Sequence, residues 1–213
     1  MSENFLPKLQ QDTVIAEGIS FKAFLERYED QAVEWHAGKM IAKVSNNATH
    51  QFILGFLHHL SSHFLALHNL GVALFDGYQM YVSDDTPALQ PDLMVILNEN
   101  KERIQPQYLE GAVDLVLEVL SPSTSSVDRG AKFDEYEAAG VQEYWLIDPM
   151  RSHVQAYALD AENRYQPIER RESRFYSSVL TGFYIDPAWL WRETLPNSIE
   201  ALEFVQAMAA NEE

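Results

Sequence analysis

The chain has 213 residues and no cysteine, and its 32 acidic against 15 basic residues give a formal net charge of −17. The length fits one globular domain, residues 1–213, and the lack of cysteine excludes disulfides, thiolate zinc sites, iron–sulfur clusters and cysteine nucleophiles. No apolar run reaches the roughly eighteen residues of a membrane span, and the N-terminus lacks a basic-then-apolar layout. These features predict a cytoplasmic protein without a membrane partner.

The first elements of the chain are short. Residues 1–19 have no clear period and are interpreted as an N-terminal arm ahead of a core expected over residues 20–190, which opens with a helix from Ser20 to about Tyr28. The stretch AVEWHAGKMIAKV predicts a β-hairpin around Ala37-Gly38, because glycine supplies the positive φ that such turns need. Glu34 lies on its first strand.

Helical spacing of apolar residues predicts the longest helix, from Asn47 to about His68, with Gly71 just beyond it as a stop signal. Short apolar runs then predict strands at 72–75, 78–82 and 93–97. The next run, VDLVLEVL at 113–120, is apolar at both parities except for two carboxylates, which is typical of a strand covered on both faces.

The second half of the chain contains further helices and strands. Ser125 and Asp128 form a capping signature for a helix that runs to Gly140. Strands are predicted at 143–147, 153–159, 164–170 and 176–180, and a C-terminal helix at 197–210. This order predicts an α/β fold with a mixed β-sheet flanked by helices and extended by antiparallel strands.

Two carboxylates stand at positions where chemistry can occur. Asp92 follows Pro91 at the start of the strand LMVIL, and Glu118 lies within VDLVLEVL, so adjacent pairing of these strands would bring both together. Mg²⁺ needs only one or two protein carboxylates, which such a pair would provide. Structural roles remain open: Asp92 could satisfy local backbone, and Glu118 could belong to a buried salt bridge.

Lys132 lies one helical turn beyond Asp128 and one turn before Tyr136, on a shared helix face. It could form an ordinary ion pair with Asp128, or it could reach Glu118 and stabilise an attacking water and the charge that develops on phosphorus. The spacing does not decide between the two. His50 and Gln51 open the longest helix and could face the same cleft as Glu34.

Three segments resemble the Uma2 or DUF820 family: QPDLMVI, DLVLEVLSPSTSSVDRGAKFDEYEAAGVQEYWLIDP and the hairpin VEWHAGKMI. The resemblance implies a restriction-endonuclease-like fold, with Asp92 as the aspartate of the "PD" element and Glu118 as the acid of "(D/E)xK". Leu120 stands where that motif has lysine, and Lys132 matches a lysine that has migrated to the following helix. Glu34, His50 and Gln51 match additional polar positions of the family.

The resemblance implies a Mg²⁺-dependent or Mn²⁺-dependent endonuclease that hydrolyses the phosphodiester bonds of DNA. Asp92 and Glu118 would be the metal ligands, and Lys132 would position water and stabilise charge. The alternative is a catalytically silent domain that uses the same fold for binding or assembly. The net charge of −17 favours this alternative, because proteins that bind DNA usually present a basic surface.

The aromatic stretch GFYIDPAWLWRETL predicts an apolar patch that a monomer would expose, and therefore a homodimer. The alternative is that Phe183, Trp189 and Trp191 cover the sheet of their own chain.

Overall fold

The computed structural model describes residues 13–28, 33–42, 47–75, 77–120 and 126–210, without the side chains of 27, 28, 42, 126–129 and 131. Its helices are α1 (Phe21–Tyr28), α2 (Ala48–His68), α3 (Ser126–Ala139), α4 (Pro187–Leu190) and α5 (Ser198–Ala209), with a 3₁₀ turn at Asn98–Arg103. Its strands are β1 (Val14–Glu17), β2 (Val33–His36), β3 (Lys39–Ala42), β4 (Gly71–Phe75), β5 (Gln79–Tyr81), β6 (Leu93–Leu97), β7 (Tyr108–Glu110), β8 (Leu115–Val119), β9 (Glu143–Asp148), β10 (His153–Leu159), β11 (Tyr165–Pro167), β12 (Phe175–Tyr176) and β13 (Tyr184–Ile185). Among these described helices, none combines the length and the apolar character needed to cross a membrane.

Six strands form the central sheet, in the order β11-β10-β9-β8-β6-β4. The pair β8 and β9 is parallel, and the other neighbouring pairs are antiparallel. A parallel pair needs a crossover connection, and α3 lies in that connection between β8 and β9. The predicted mixed sheet with flanking helices and additional antiparallel strands is confirmed.

The two faces of this sheet are covered by different helices. One face, which includes Leu93 and Leu117, packs against α2 and α5. The other face, which includes Met94 and Val116, packs against α3. Because successive side chains of a strand point to opposite faces, Glu118 shares the face of Val116 and points toward α3.

Of the predicted N-terminal arm, residues 1–12 lie outside the described residues, and the described part contains a strand. Val14–Glu17 is a strand that pairs with β3 in a small sheet of order β1-β3-β2. Val14 and Ile15 are 44% and 48% exposed, so backbone pairing rather than burial holds β1 in place, and the residues carry no periodic pattern. The predicted hairpin is confirmed, with positive φ at both Ala37 and Gly38.

The end of α2 differs from the prediction in its cause. Asn69, with φ 52°, adopts the left-handed conformation and closes the helix, and its N–H donates to the carbonyl of Ala66. Gly71 is instead the first residue of β4, where an added Cβ would lie 2.3 Å from the carbonyl oxygen of Ile96. Close approach of the neighbouring strand therefore explains this glycine.

Replacing Gly71 with alanine is expected to lower the free energy of unfolding by about 2 kcal/mol, because backbone of β6 must move to admit the methyl group. Gly55→Ala is the matched control. Gly55 lies within α2 with nothing near its Cβ position, so alanine there should stabilise by about 0.5 to 1 kcal/mol. Urea unfolding measures both changes, and equal effects would contradict the close-approach explanation.

The C-terminal strands are shorter than predicted. The segment 164–170 forms a strand only at Tyr165–Pro167, and the segment predicted as 176–180 contributes only the end of β12. After β12 the chain turns, because the hydroxyl oxygen of Ser177 accepts hydrogen bonds from the N–H groups of Val179 and Leu180. The predicted strand 78–82 exists as β5, but it pairs with β7 outside the central sheet.

The aromatic C-terminal stretch is buried, contrary to the prediction of an exposed patch. Phe183 is 1% exposed, Ile185 0% and Trp189 9%, and all three belong to the core on the α2 side of the sheet. These side chains cover the sheet of their own chain. The expected homodimer therefore has no support from this stretch.

Candidate functional site

Asp92 and Glu118 come together at one end of the β6 and β8 pair. The antiparallel register pairs Leu93 with Leu117, and extending it by one residue sets Asp92 opposite Glu118. The side chain of Asp92 is 14% exposed and that of Glu118 only 5%. The pairing expected from the sequence is therefore present in the structure.

Glu118 is held from α3 by two side chains one turn apart. Lys132 Nζ lies 3.1 Å from both Oε1 and Oε2 of Glu118. The Tyr136 hydroxyl donates to Oε1 at 2.6 Å. The structure thus pairs Lys132 with Glu118, while the side chain of Asp128, the other predicted partner of Lys132, lies outside the described residues.

The local charges shift the pKa values of this group in definite directions. Burial raises the pKa of the Glu118 carboxyl to about 7, against the opposing effect of Lys132 and with a further increase from Asp92. Burial alone would lower the pKa of Lys132. The carboxylates of Glu118 and Asp92, with Glu34 behind them, raise it above its ordinary value. Lys132 is therefore a permanent cation beside a carboxyl group that can exchange a proton near neutral pH.

Asp92 is held from the other side of the sheet and from the backbone. His50 Nε2 lies 3.0 Å from Asp92 Oδ2, and the N–H of Val119 donates to the same oxygen at 2.8 Å. Because an ionised carboxylate only accepts hydrogen bonds, Nε2 of the His50 ring is protonated and donates to Asp92. Burial would raise the pKa of Asp92, but the hydrogen bond and charge of His50, followed by Lys132, lower it below its usual value.

The remaining predicted residues differ in how close they are to this pair. Glu34 Oε2 lies 3.2 Å from His36 Nε2, and its negative charge adds to those of Glu118 and Asp92 in raising the pKa of Lys132. Gln51 is exposed. The described hydrogen bonds of Asp92 and Glu118 involve other residues. The structure therefore places His50 in contact with Asp92. Glu34 contacts His36 instead, and Gln51 is not bonded to either carboxylate in the described part of the chain.

The chemistry of the donors suits a divalent cation that prefers oxygen. Within the residues that the structure describes, no three His, Cys, Asp or Glu side chains form a metal-binding group, and Asp92 with Glu118 is a pair of carboxylates. Mg²⁺ commonly uses one or two carboxylates and keeps several waters. Counting only donors from the described residues, each carboxylate also retains an oxygen that its hydrogen bonds do not saturate: Oδ1 of Asp92 and Oε2 of Glu118.

Two contacts of the site were not anticipated from the sequence. Tyr136 was noted only as a neighbour of Lys132 on its helix face, yet its hydroxyl bonds to Glu118. The lysine-to-tyrosine spacing of four residues was the available signal, since both project from one face. No sequence pattern indicated that the N–H of Val119 would donate to Asp92, because the position of a backbone donor depends on the strand register.

The other polar residue of VDLVLEVL has a structural role. Asp114 accepts hydrogen bonds from the N–H of Leu97 at 2.8 Å and from Asn100 Nδ2 at 2.7 Å. It thereby fastens the 3₁₀ turn after β6. The two ionisable positions of VDLVLEVL thus differ in kind: Asp114 bonds to a backbone N–H and an amide, whereas Glu118 bonds to the ammonium of Lys132.

Comparison with known proteins agrees with this fold. No curated protein matches the chain significantly. Among solved structures, "a putative nuclease belonging to DUF820" from Anabaena variabilis ATCC 29413 is similar, with a TM-score of 0.68, 20% sequence identity, and coverage of 81% of this chain and 97% of that one. The family model described as "Uma2: Putative restriction endonuclease" matches residues 21–188. Because this match spans most of the chain and includes every element around Asp92, Glu118 and Lys132, the chain belongs to the Uma2 family.

Proposed function

We propose that this chain is a Mg²⁺-dependent or Mn²⁺-dependent endonuclease that hydrolyses phosphodiester bonds of DNA. Asp92 and Glu118 are the proposed metal ligands, and Lys132 is the proposed group that positions water and stabilises charge. The observation that carries the proposal is the convergence of these three side chains, with Lys132 Nζ 3.1 Å from both oxygens of Glu118.

Each of the chain's own residues has a definite task in this reaction. In hydrolysis a water oxygen bonds to phosphorus, the bond from phosphorus to the leaving oxygen breaks, and one proton of the water passes through solvent to that leaving oxygen. Negative charge grows on the phosphoryl oxygens in the transition state. The ammonium of Lys132, two-thirds buried, would lie beside that charge and offset it where water screens poorly. His50 and the N–H of Val119 would keep Asp92 ionised and fixed in orientation.

The carboxylates and the surrounding donors fit a divalent cation. When bound by Asp92 and Glu118, Mg²⁺ would supply Lewis acidity toward a phosphoryl oxygen and lower the pKa of a water molecule. The ion pair with Lys132 does not prevent this, because each carboxylate oxygen has two lone pairs and Oε2 uses one of them.

Incubation of the purified protein with duplex, single-stranded and branched DNA in millimolar Mn²⁺ tests the proposal. The expected result is cleavage of at least one substrate that depends on the cation and disappears in Glu118→Gln. Glutamine keeps the shape and one acceptor oxygen of Glu118 while removing its charge. Cleavage that survives this substitution would contradict the assigned role of Glu118.

Mn²⁺ is expected to raise the melting temperature, because a ligand that binds only the folded state stabilises it by about 2.7 kcal/mol at 100 times its Kd. Asp92→Asn should abolish the shift while its amide oxygen can still accept from Val119. The measurement is the difference in melting temperature with and without Mn²⁺ in each variant.

Asp114→Asn is the matched control for this titration. Asp114 is also a buried carboxylate on the same stretch of chain, but its partners are Leu97 and Asn100 rather than the candidate site. Its replacement should lower the starting melting temperature and leave the Mn²⁺ shift unchanged. Equal shifts in the wild type and Asp92→Asn would exclude Asp92 as a ligand.

The second candidate function, a catalytically silent binding or assembly module, is favoured by one feature of the same site. Lys132 and Tyr136 already supply Glu118 with a cation and a hydroxyl donor, so its buried charge is compensated without a metal ion. The net charge of −17 points the same way. A wild type that neither cleaves DNA nor gains stability in Mn²⁺ would favour this function.

A further inference from the structure

We propose that Tyr136 is a positioning residue of this site, whose hydroxyl fixes the Glu118 carboxylate so that Oε2 is the oxygen offered to the cation. The inference deepens the proposed function and rests on it. Tyr136 acts here through Glu118 and does not itself touch substrate.

The hydrogen bonds on Glu118 are distributed unequally between its two oxygens. Oε1 accepts from Tyr136 at 2.6 Å and from Lys132 at 3.1 Å, whereas Oε2 accepts only from Lys132 among the described residues. Each carboxylate oxygen has two lone pairs. Tyr136 therefore completes Oε1 and leaves Oε2 with capacity for one more ligand.

The hydrogen bonds on Asp92 are also distributed unequally between its two oxygens. Its Oδ2 accepts from both His50 and the N–H of Val119, whereas Oδ1 has no donor among the described residues. Toward the described part of the chain, each carboxylate therefore has one saturated and one open oxygen. Tyr136 occupies one oxygen of Glu118, as His50 and the N–H of Val119 occupy one oxygen of Asp92. Together these donors define which two oxygens can bind a cation.

The ring of Tyr136 is well held for such a task. It is 0% exposed and lies in the core cluster between the sheet and α3, with its centroid 5.1 Å from that of Tyr144. Its position on α3, one turn from Lys132, couples the two groups that contact Glu118. A single helix thereby sets both the orientation and the charge of this carboxylate.

Tyr144 provides a matched control inside the same cluster. It is 1% exposed, and its hydroxyl is buried without a hydrogen-bond partner in the described part of the chain. Removing that hydroxyl deletes a polar atom of the same type from the same core cluster, but no hydrogen bond to Glu118. Tyr136→Phe and Tyr144→Phe therefore differ in the one interaction that matters.

The experiment compares these two variants in Mn²⁺-dependent cleavage. Tyr136→Phe is expected to lower kcat and raise the Mn²⁺ concentration for half-maximal rate, with a combined loss of about 10- to 100-fold. Its KM for DNA should stay within about twofold, because no substrate contact is removed. Tyr144→Phe should change none of these values by more than about twofold.

A purely structural role of Tyr136 would give a different pattern. It would lower the melting temperature of Tyr136→Phe while kcat and the Mn²⁺ requirement matched those of Tyr144→Phe, and this result would overturn the proposal. Circular dichroism at the assay temperature is the check that both variants are folded.

Failure of the proposed function has its own signature. If the wild type does not cleave DNA, calorimetric Mn²⁺ affinity in the same variants decides the matter: weaker binding by Tyr136→Phe than by Tyr144→Phe supports the positioning role, and equal binding overturns it. A wild type that binds no Mn²⁺ would overturn both proposals.

Discussion

Replacing Lys132 with methionine is expected to lower the rate of Mn²⁺-dependent DNA cleavage by about 100-fold or more, the usual loss when one preorganised charge leaves a catalytic site. Methionine retains the unbranched stem and the helix propensity of lysine, so α3 should keep its packing. The measurement is the cleavage rate at saturating Mn²⁺. Lys101→Met, on the 3₁₀ turn at the opposite end of β6 from Asp92, removes the same charge and should leave the rate unchanged.

The contact between Lys132 and Glu118 complicates this variant in a testable way. Burial raises the pKa of Glu118 to about 7, and the charge of Lys132 opposes that rise. Lys132→Met therefore raises this pKa further, so that Glu118 becomes protonated and binds the cation more weakly at neutral pH.

A pH series separates the two effects. If Lys132 acts only by keeping Glu118 ionised, raising the pH from about 7 to about 9 should restore the rate of Lys132→Met. If its charge stabilises the phosphoryl oxygens, the deficit should persist after Mn²⁺ binding has recovered. Equal rates of wild type and Lys132→Met at every pH would remove Lys132 from the mechanism.

The sequence was sufficient to predict the meeting of Asp92 and Glu118. Asp92 precedes one short apolar run and Glu118 lies in another; both runs were predicted as strands that would bring the carboxylates together if they paired, and β6 and β8 do pair. The hairpin around Ala37-Gly38 was equally accessible, because its turn needs positive φ at consecutive residues. In each case the local sequence pattern predicts the same structure that the tertiary contacts require.

The partner of Lys132 could not be predicted in the same way. On a helix the lysine is four residues from both Asp128 and Tyr136, and its orientation toward Glu118 depends on how α3 docks on the sheet. β1 was missed for a related reason. Its residues are half exposed, so only the distant strand β3 makes them a strand.

A buried glutamate in an apolar strand does not always face a cation. Glu143 opens β9 and is 0% exposed, yet its partners are neutral. Its Oε1 accepts from Trp145 Nε1 at 2.5 Å, and its Oε2 accepts from the N–H and hydroxyl of Ser178 at 2.7 and 2.6 Å and from the N–H of Val179 at 3.1 Å. This carboxylate fastens the turn after β12 to the central sheet.

Glu143→Ala is therefore expected to lower the free energy of unfolding by about 4 kcal/mol, because a buried donor that loses its acceptor costs about 1 to 3 kcal/mol and three donors lose theirs, while the N–H of Val179 keeps the hydroxyl oxygen of Ser177. Urea unfolding measures the loss. Glu162→Ala, at an exposed turn residue, removes the same side chain and should change stability by less than about 0.5 kcal/mol. Glu143 shares a sheet face with Trp145 on the α2 side, away from α3, so Mn²⁺ binding by the folded variant should match the wild type. A loss under about 1 kcal/mol would mean that solvent or rearranged backbone replaces the carboxylate, and the turn after β12 would then need another anchor.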